Sequence, residues 1–423
     1  MRLLYNFLLT AGLILAAPLL LVKPKYRGRA AARLGAGLTA APGGRPRIWL
    51  HALSVGEASS ARSLVKGLRG AYPGGTIILS TTTRAGSEFA RRQLAAEVDH
   101  FVPFPLDLPP SVSRFLRRLH PDLFILVETD FWPNFLAALR RRGIPALLVN
   151  GRISARSFAR YRRLRWLFRP LFDSFDLLSM QTAADAGQMA ALGVSATKVR
   201  PLGNLKYDAA LPGAAPKGAP TRSEYGLPPG VPLWVAGSTH PGEEEIVLRV
   251  HRRLLAAFPA LHLVLAPRQV ARGGEIVGVA RECGLAARAR THRATGPAQV
   301  LVLDTIGELA GIYGLADFAF VGGSLAAGGG HNPLEAAAFG KPVLFGPHME
   351  DFGEIARDLM AGGAAKMVED EEDLLATARA WLADPQAREE CGRRALALVA
   401  QHQGATARHL DLIGHVLAGR MPL

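Results

Sequence analysis

Short apolar runs alternate along this chain with segments in which apolar residues recur every three or four positions. Arg47–His51, Thr76–Thr82, His100–Phe104, Leu123–Glu128, Ala146–Asn150 and Leu177–Gln181 are aliphatic and β-branched and read as strands. Ala58–Arg69, Ser87–Leu94, Ser111–Leu119 and Asn134–Arg142 lie between them and read as helices. Strands alternating with helices predict a parallel sheet covered on both faces. The alternation stops over Tyr207–Pro232, a stretch rich in Pro, Gly and Ala that reads as a linker. It resumes with strands at Leu233–Gly237, His262–Ala266, Val300–Asp304, Phe318–Val321 and Pro342–Phe345, and the chain closes on helical sequence. The expected fold is α/β, with two doubly wound, Rossmann-like domains facing a cleft. The expected divisions are residues 23–206, a linker at 207–232, a second domain at 233–400 and a C-terminal helix at 401–423.

Ahead of the first strand, Leu3–Val22 is a 20-residue run without a charge. A helix of that length spans about 30 Å, the thickness of a bilayer core. Lys23, Lys25, Arg27, Arg29 and Arg33 follow at once. The expectation is a membrane anchor over residues 1–22 with the rest of the chain on the cytoplasmic side. Pro18 and Asn6 also suit a shallow, monotopic anchor.

The charge is unevenly placed. Residues 1–205 hold 29 Lys and Arg against 11 Asp and Glu, a balance of +18, and the remainder carries −3 of the total +15. A polyanionic partner is expected for the first half: phospholipid, a phosphorylated substrate or nucleic acid. Arg156, Arg160 and Arg163 share a helical face interleaved with Phe158, Trp166 and Phe168, which suits anionic lipid behind an anchor. Two distant cysteines, Cys283 and Cys391, fit a reducing compartment. Scattered histidines and the absence of H-E-x-x-H predict no metal site, and no cofactor is expected.

Candidate chemistry sits where strands end. Phe320–Pro347 (FVGGSLAAGGGHNPLEAAAFGKPVLFGP) reads as strand, glycine-rich loop, a helix beginning at Asn332, and strand. Its glycines allow close backbone approach to a ligand, and a helix start suits phosphate. Asn332, Pro333 and Glu335 equally suit helix capping alone. Glu57, in HALSVGEASS after the first strand, is a candidate general base or a dipole-compensating carboxylate. Glu128 and Asp130 stand beside Trp-Pro-Asn at another strand end. Lys206 closes the first domain in GNLKYD and could neutralise a leaving phosphate. In the second half, Ser238, Thr239 and His240 follow a strand, as do Pro267 and Arg268. Ile306, Gly307 and Glu308 precede a helix, and Gly322, Gly323 and Ser324 open the glycine loop.

Together these blocks resemble the 3-deoxy-D-manno-octulosonic acid (Kdo) transferases of lipopolysaccharide biosynthesis. The resemblance runs through HALSVGEASSA, ETDFWPN, NGRISARS, GNLKYD, GSTHPGEE, APR, DTIGEL and GGGHNPLEAAAFGKPV, in that order. It implies a glycosyltransferase-B fold at the cytoplasmic face of the inner membrane. It implies inverting transfer of Kdo from CMP-Kdo to a lipid A precursor, lipid IVA. It makes Glu57 the proton acceptor and Glu128 and Lys206 transition-state stabilisers. It places Pro267, Arg268, Ile306, Gly307, Glu308, Asn332, Pro333, Leu334 and Glu335 on CMP, with Ser238, Thr239, His240, Gly322, Gly323 and Ser324 as a further donor site. The implied partners are CMP-Kdo, the lipid acceptor and inner-membrane phospholipid, with no nucleic acid. Asp130 departs from the glutamate common in the family, and NGRIS from its NARLS. The competing readings are a UDP-sugar enzyme of the same fold and a membrane-tethered nucleic-acid binder.

Overall fold

The computed structural model describes residues 5–7, 9–15, 24–128, 131–210, 220–292 and 298–419. It divides into two units, one of Met1–Ala209 with Gln403–Leu423 and the other of Ala210–His402.

The first unit is built on a parallel sheet of β1 (Arg47–Ala52), β2 (Thr76–Thr81), β3 (His100–Pro103), β4 (Leu123–Val127), β5 (Ala146–Gly151), β6 (Leu177–Met180) and β7 (Val199–Pro201). Their order is β3-β2-β1-β4-β5-β6-β7. The chain starts in the middle, winds outward to β3, then returns to β4 on the other side of β1. The reversal between β1 and β4 leaves a crevice at their carboxyl ends, where ligands of such sheets bind. Every residue of β2, β4 and β5 is buried, which is why these strands read as continuous apolar runs. One face packs around Trp49, whose ring lies 5.1–6.3 Å from Phe104, Phe115, Phe124 and Phe135. The other face packs Leu64, Val65 and Leu68 together with Leu412, Ile413 and Val416 of the C-terminal helix Ala405–Leu417.

The second unit repeats the design with β8 (Leu233–Thr239), β9 (His262–Pro267), β10 (Ala287–Ala289), β11 (Val300–Val302), β12 (Phe318–Val321), β13 (Val343–Phe345) and β14 (Ala365–Met367). The order is β10-β11-β9-β8-β12-β13-β14, again all parallel, with the reversal between β8 and β12. Trp234 stacks on Phe318 at 5.6 Å, and Phe318 meets Trp381 edge-on at 5.8 Å.

Several elements differ from the sequence expectation. The edge strands β7, β10 and β14 have three residues each, too short to leave a hydrophobic period. The helix expected over Ala58–Arg69 is two helices, Val55–Ser60 and Arg62–Ala71, joined at Ala61. The expected linker begins inside a helix, Leu205–Ala210, and residues 211–219 lie outside the described part. The helix expected from Asn332 starts two residues later and is a single turn, Leu334–Ala337. Asn332 caps it in part, its Oδ1 accepting from Leu334 N at 3.1 Å.

The apolar run Leu3–Val22 falls in part outside the described residues. Residues 5–7 and 9–15 are helical, with Phe7, Ile14 and Leu15 exposed. Among the described residues no helix is long and apolar enough to cross a membrane. This segment touches the first unit through Tyr5, whose hydroxyl donates to Asp107 Oδ2 at 2.9 Å, and Asn6, whose Oδ1 accepts from Asn134 at 2.5 Å. Burial raises the Asp107 carboxyl to about 6 even though Asn134 N, Phe135 N and Tyr5 all donate to it.

Candidate active site

Glu57 and Glu128 stand at the carboxyl ends of β1 and β4, the strands flanking the first crevice. Ser54 caps the helix Val55–Ser60 and accepts from Glu57 N, which places Glu57 in its first turn. The Glu57 side chain is 7% exposed, and its Oε2 accepts from Leu53 N at 2.5 Å. That bond folds the carboxylate back over the loop leaving β1. Glu128 has φ 65°, a left-handed conformation that costs a non-glycine residue about 1–3 kcal/mol. The ladder enforces it, because Glu128 N still donates to Val149 O at 2.9 Å. The turned backbone brings Glu128 Oε1 to 3.2 Å from the donating Asn150 Nδ2 and 3.3 Å from the Ser60 hydroxyl. Ser60 lies one turn after Glu57 on the same helix, so that helix both carries Glu57 and braces Glu128.

Asn150 joins these residues to Lys206. It is wholly buried at the end of β5 and has φ 57°. Its Oδ1 accepts from Leu205 N and its carbonyl from Gln181 Nε2, both at 2.9 Å. Gln181 Oε1 accepts from Asn204 Nδ2 at 2.9 Å, and Asn204 Oδ1 from Lys206 N at 3.0 Å. Glu128 and the backbone carrying Lys206 therefore hang on one network, which reaches the helix of Glu57 through Ser60. Asn150, Gln181, Asn204 and Ser60 were not singled out from the sequence. For Asn150 and Gln181 the signal available was the polar residue at the end of an otherwise apolar strand; Ser60, inside a helix, and Asn204, in a loop, left none. Two residues past Lys206, Asp208 accepts from Gly404 N at 2.9 Å and Thr406 N at 2.5 Å, capping the C-terminal helix. His409 of that helix is wholly buried against the Ser179 hydroxyl at 2.7 Å, and burial lowers it to about 4. Asp130 lies outside the described residues.

In the second unit the residues picked from the sequence gather at the ends of β8, β9 and β12. Ser238 has φ 57° and turns the chain toward His240. Thr239 is buried and pairs with Pro267, and its carbonyl accepts from Arg268 N at 2.9 Å. The Arg268 side chain is exposed and makes no ion pair among the described residues. His240 Nε2 lies 2.8 Å from His331 Nε2 with the rings stacked at 5.1 Å. Burial first, then the charge of Arg268, lowers His331 to about 4.

The glycine-rich loop behaves differently from the sequence expectation. Its amides face a side chain of the protein. Glu243, wholly buried at the start of the helix Glu243–Leu255, accepts from His240 N (2.9 Å) and Gly323 N (2.7 Å) on Oε2. Its Oε1 accepts from Ser324 N (2.8 Å) and Leu325 N (2.9 Å). Gly322 is required because a Cβ there would stand 2.6 Å from Thr239 Cα, a close approach of backbone to backbone. Ser324 is buried, its hydroxyl donating to Val321 O and accepting from Gly346 N. These residues build the crevice wall. The helices after Ile306 and Asn332 have five and four residues, too short for the aligned dipole of a long helix. Ile306 is exposed, Gly307 has φ 94°, and Glu308 pairs with Arg290 at 3.3 Å. Leu334 is buried, which leaves Glu335 as the charged side chain of that turn. Among the described residues no group of three metal-ligating side chains forms.

Two parallel α/β units, each with its chemistry at the reversal of strand order, define the glycosyltransferase-B architecture. The same fold occurs in the UDP-GlcNAc 2-epimerase from Neisseria meningitidis bound to UDP-GlcNAc, at TM-score 0.61 and 13% identity over 87% of this chain and 99% of that one. A family profile described as 3-deoxy-D-manno-octulosonic-acid transferase (kdotransferase) matches residues 28–209. The 3-deoxy-D-manno-octulosonic acid transferase of Haemophilus influenzae is 35% identical over 97% of this chain and 98% of its own. That of Bordetella pertussis is 36% identical over 93% and 91%. The chain belongs to the 3-deoxy-D-manno-octulosonic acid transferase family and is a glycosyltransferase.

Proposed function

We propose that this Kdo transferase of lipopolysaccharide biosynthesis takes its sugar from CMP-Kdo and places it on a lipid A precursor, lipid IVA, with inversion and with Glu57 as general base. The observation that carries the reading is the network in which Ser60, on the helix of Glu57, and Asn150 hold Glu128, while Asn150 and Asn204 hold the backbone of Leu205 and Lys206. The anomeric carbon of the donor bears phosphate and no hydrogen, so bond breaking runs ahead of bond making and positive charge builds on the sugar ring. Two tasks follow: removing the proton from the acceptor hydroxyl and stabilising the departing CMP phosphate. Glu57 takes the first, oriented by Leu53 N. The second is assigned to Lys206 and Arg268, cations suited to an anion that grows in the transition state. Glu128, held by Asn150, places negative charge beside the developing cation. Pro267, Ile306, Gly307 and Asn332 to Glu335 line the nucleotide.

The exposed Phe7, Ile14 and Leu15 and the basic first half support a chain seated on the cytoplasmic face of the inner membrane by its N-terminal segment. Replacement Glu57→Gln tests the mechanism. Turnover of CMP-Kdo with lipid IVA should fall by roughly 10²–10⁴-fold, while calorimetric binding of CMP stays intact. Turnover close to wild type would remove Glu57 from the base role.

A further inference from the structure

His331, and His240 of the donor-site residues that the resemblance implies, have no assigned role in the transfer step, yet they occupy the reversal point of the second sheet. Both rings lie against Gly323: a Cβ there would stand 3.0 Å from His331 Cδ2 and 3.4 Å from His240 Cδ2. Glu243 already takes the amides of Gly323, Ser324 and Leu325, so the loop backbone offers them to no further anion. What remains there to meet negative charge is the imidazole pair and the exposed guanidinium of Arg268.

The donor proposed above presents two anions on one carbon. A 2-keto sugar acid carries its carboxylate on the anomeric carbon, beside the phosphate. Arg268, planar and permanently charged, suits the phosphate. We propose that His240 and His331 form the subsite that receives the sugar's carboxylate, so that the pair selects a nucleotide-linked keto acid over a nucleotide-linked neutral sugar. The inference rests on the donor reading above.

The geometry gives the pair a defined way to work. At 2.8 Å the two Nε2 atoms share one proton, one ring donating and the other accepting. A carboxylate arriving between Arg268 and the rings takes an N–H from each ring, so the ring-to-ring bond opens; the ring that was accepting either moves its own proton to Nε2 or takes up another, and the charge of the carboxylate favours uptake. The charged groups on the elements around the pair are Arg268 at the end of β9, which acts on His331, Glu243, which accepts from His240 N, and Asp351, whose carboxylate lies beside Gly329 of the same loop. Arg268 and burial keep His331 unprotonated in the free protein at neutral pH, at about 4. Carboxylate binding supplies the charge that reverses this.

The experiment is calorimetric titration of the full chain with CMP and with CMP-Kdo, in two buffers of different ionisation heat, for wild type, His331→Gln and His240→Gln. Expected are proton uptake by wild type with CMP-Kdo and none with CMP. Each variant should keep CMP affinity within about twofold and bind CMP-Kdo at least about tenfold more weakly, without proton uptake. Retained CMP binding also reports that the variant is folded. Equal weakening for both ligands would make the pair a phosphate contact and overturn the proposal, as would unchanged CMP-Kdo affinity. Wild type that binds neither ligand would instead overturn the donor reading itself.

Discussion

Glu243→Gln exchanges a buried carboxylate for an amide of the same shape, in the wall of the second crevice. Each carboxylate oxygen accepts from at least two backbone N–H groups: His240 and Gly323 on one side, Ser324 and Leu325 on the other, where Ala326 N adds a longer bond at 3.4 Å. An amide keeps its oxygen on one side only. Whichever way it turns, its NH₂ faces two N–H donors. Two bonds to a charged acceptor are lost at about 1.5–3 kcal/mol each, or roughly 3–6 kcal/mol in all. That is a large part of the ~5–15 kcal/mol that holds a typical domain. For a unit of this size each kcal/mol lowers the melting temperature by about 2–4 °C, so a fall of roughly 6–24 °C is expected. Scanning calorimetry of the full chain measures it. Hydrogen exchange localises it to the amides of Gly323, Ser324 and Leu325, which should lose protection first. A melting temperature within about 2 °C of wild type, with those amides still protected, would refute the argument that the carboxylate holds the loop.

Two further outcomes are expected. Asp208→Ala removes the cap from the C-terminal helix and should cost about 1–2 kcal/mol. Because Lys206 stands in the same short helix, kcat should also fall while CMP affinity is retained; lost stability with unchanged kcat would leave Asp208 a cap and nothing more. His251, wholly buried and accepting from Trp234 Nε1 at 3.1 Å, is lowered to about 3 by burial. Its unfolded value is near 6.5, so the unfolded chain binds more protons between those values and stability falls as pH drops through 6.5 toward 3. At pH 5 the loss is about 2 kcal/mol relative to neutral pH. Denaturant titrations of wild type and His251→Met at pH 7.5 and 5 should differ by that amount, and parallel losses would count against it.

The repeating α/β pattern was legible because parallel strands are buried on both faces and leave unbroken apolar runs, such as LFILV in β4. The three-residue edge strands left no such trace. At the site, sequence reading found the residue types at the strand ends but not their alliances. Nothing local says that Asn150 would turn to hold Glu128, since that depends on a left-handed backbone at both residues. The glycine loop misled for a related reason. Glycines permit a close approach without saying of what, and here the partners are Glu243 and the backbone of β8, supplied by residues some eighty positions earlier. The resemblance to Kdo transferases supplied the whole set of candidates at once, and family membership now rests on relatives that cover nearly the entire chain.

The return of Ala405–Leu417 to the first unit makes the second unit an insertion within the first. During synthesis the inserted unit is complete before its host is, because the host lacks a piece of its own core until the last residues emerge. Leu412, Ile413 and Val416 belong to the hydrophobic layer beneath β1 and β4, and Asp208 waits for Gly404 and Thr406. A folded second unit can therefore exist on a nascent chain that cannot yet hold the helix Leu205–Ala210 in place. A stop before Ala405 would strike the unit whose synthesis began first, and leave the inserted unit whole.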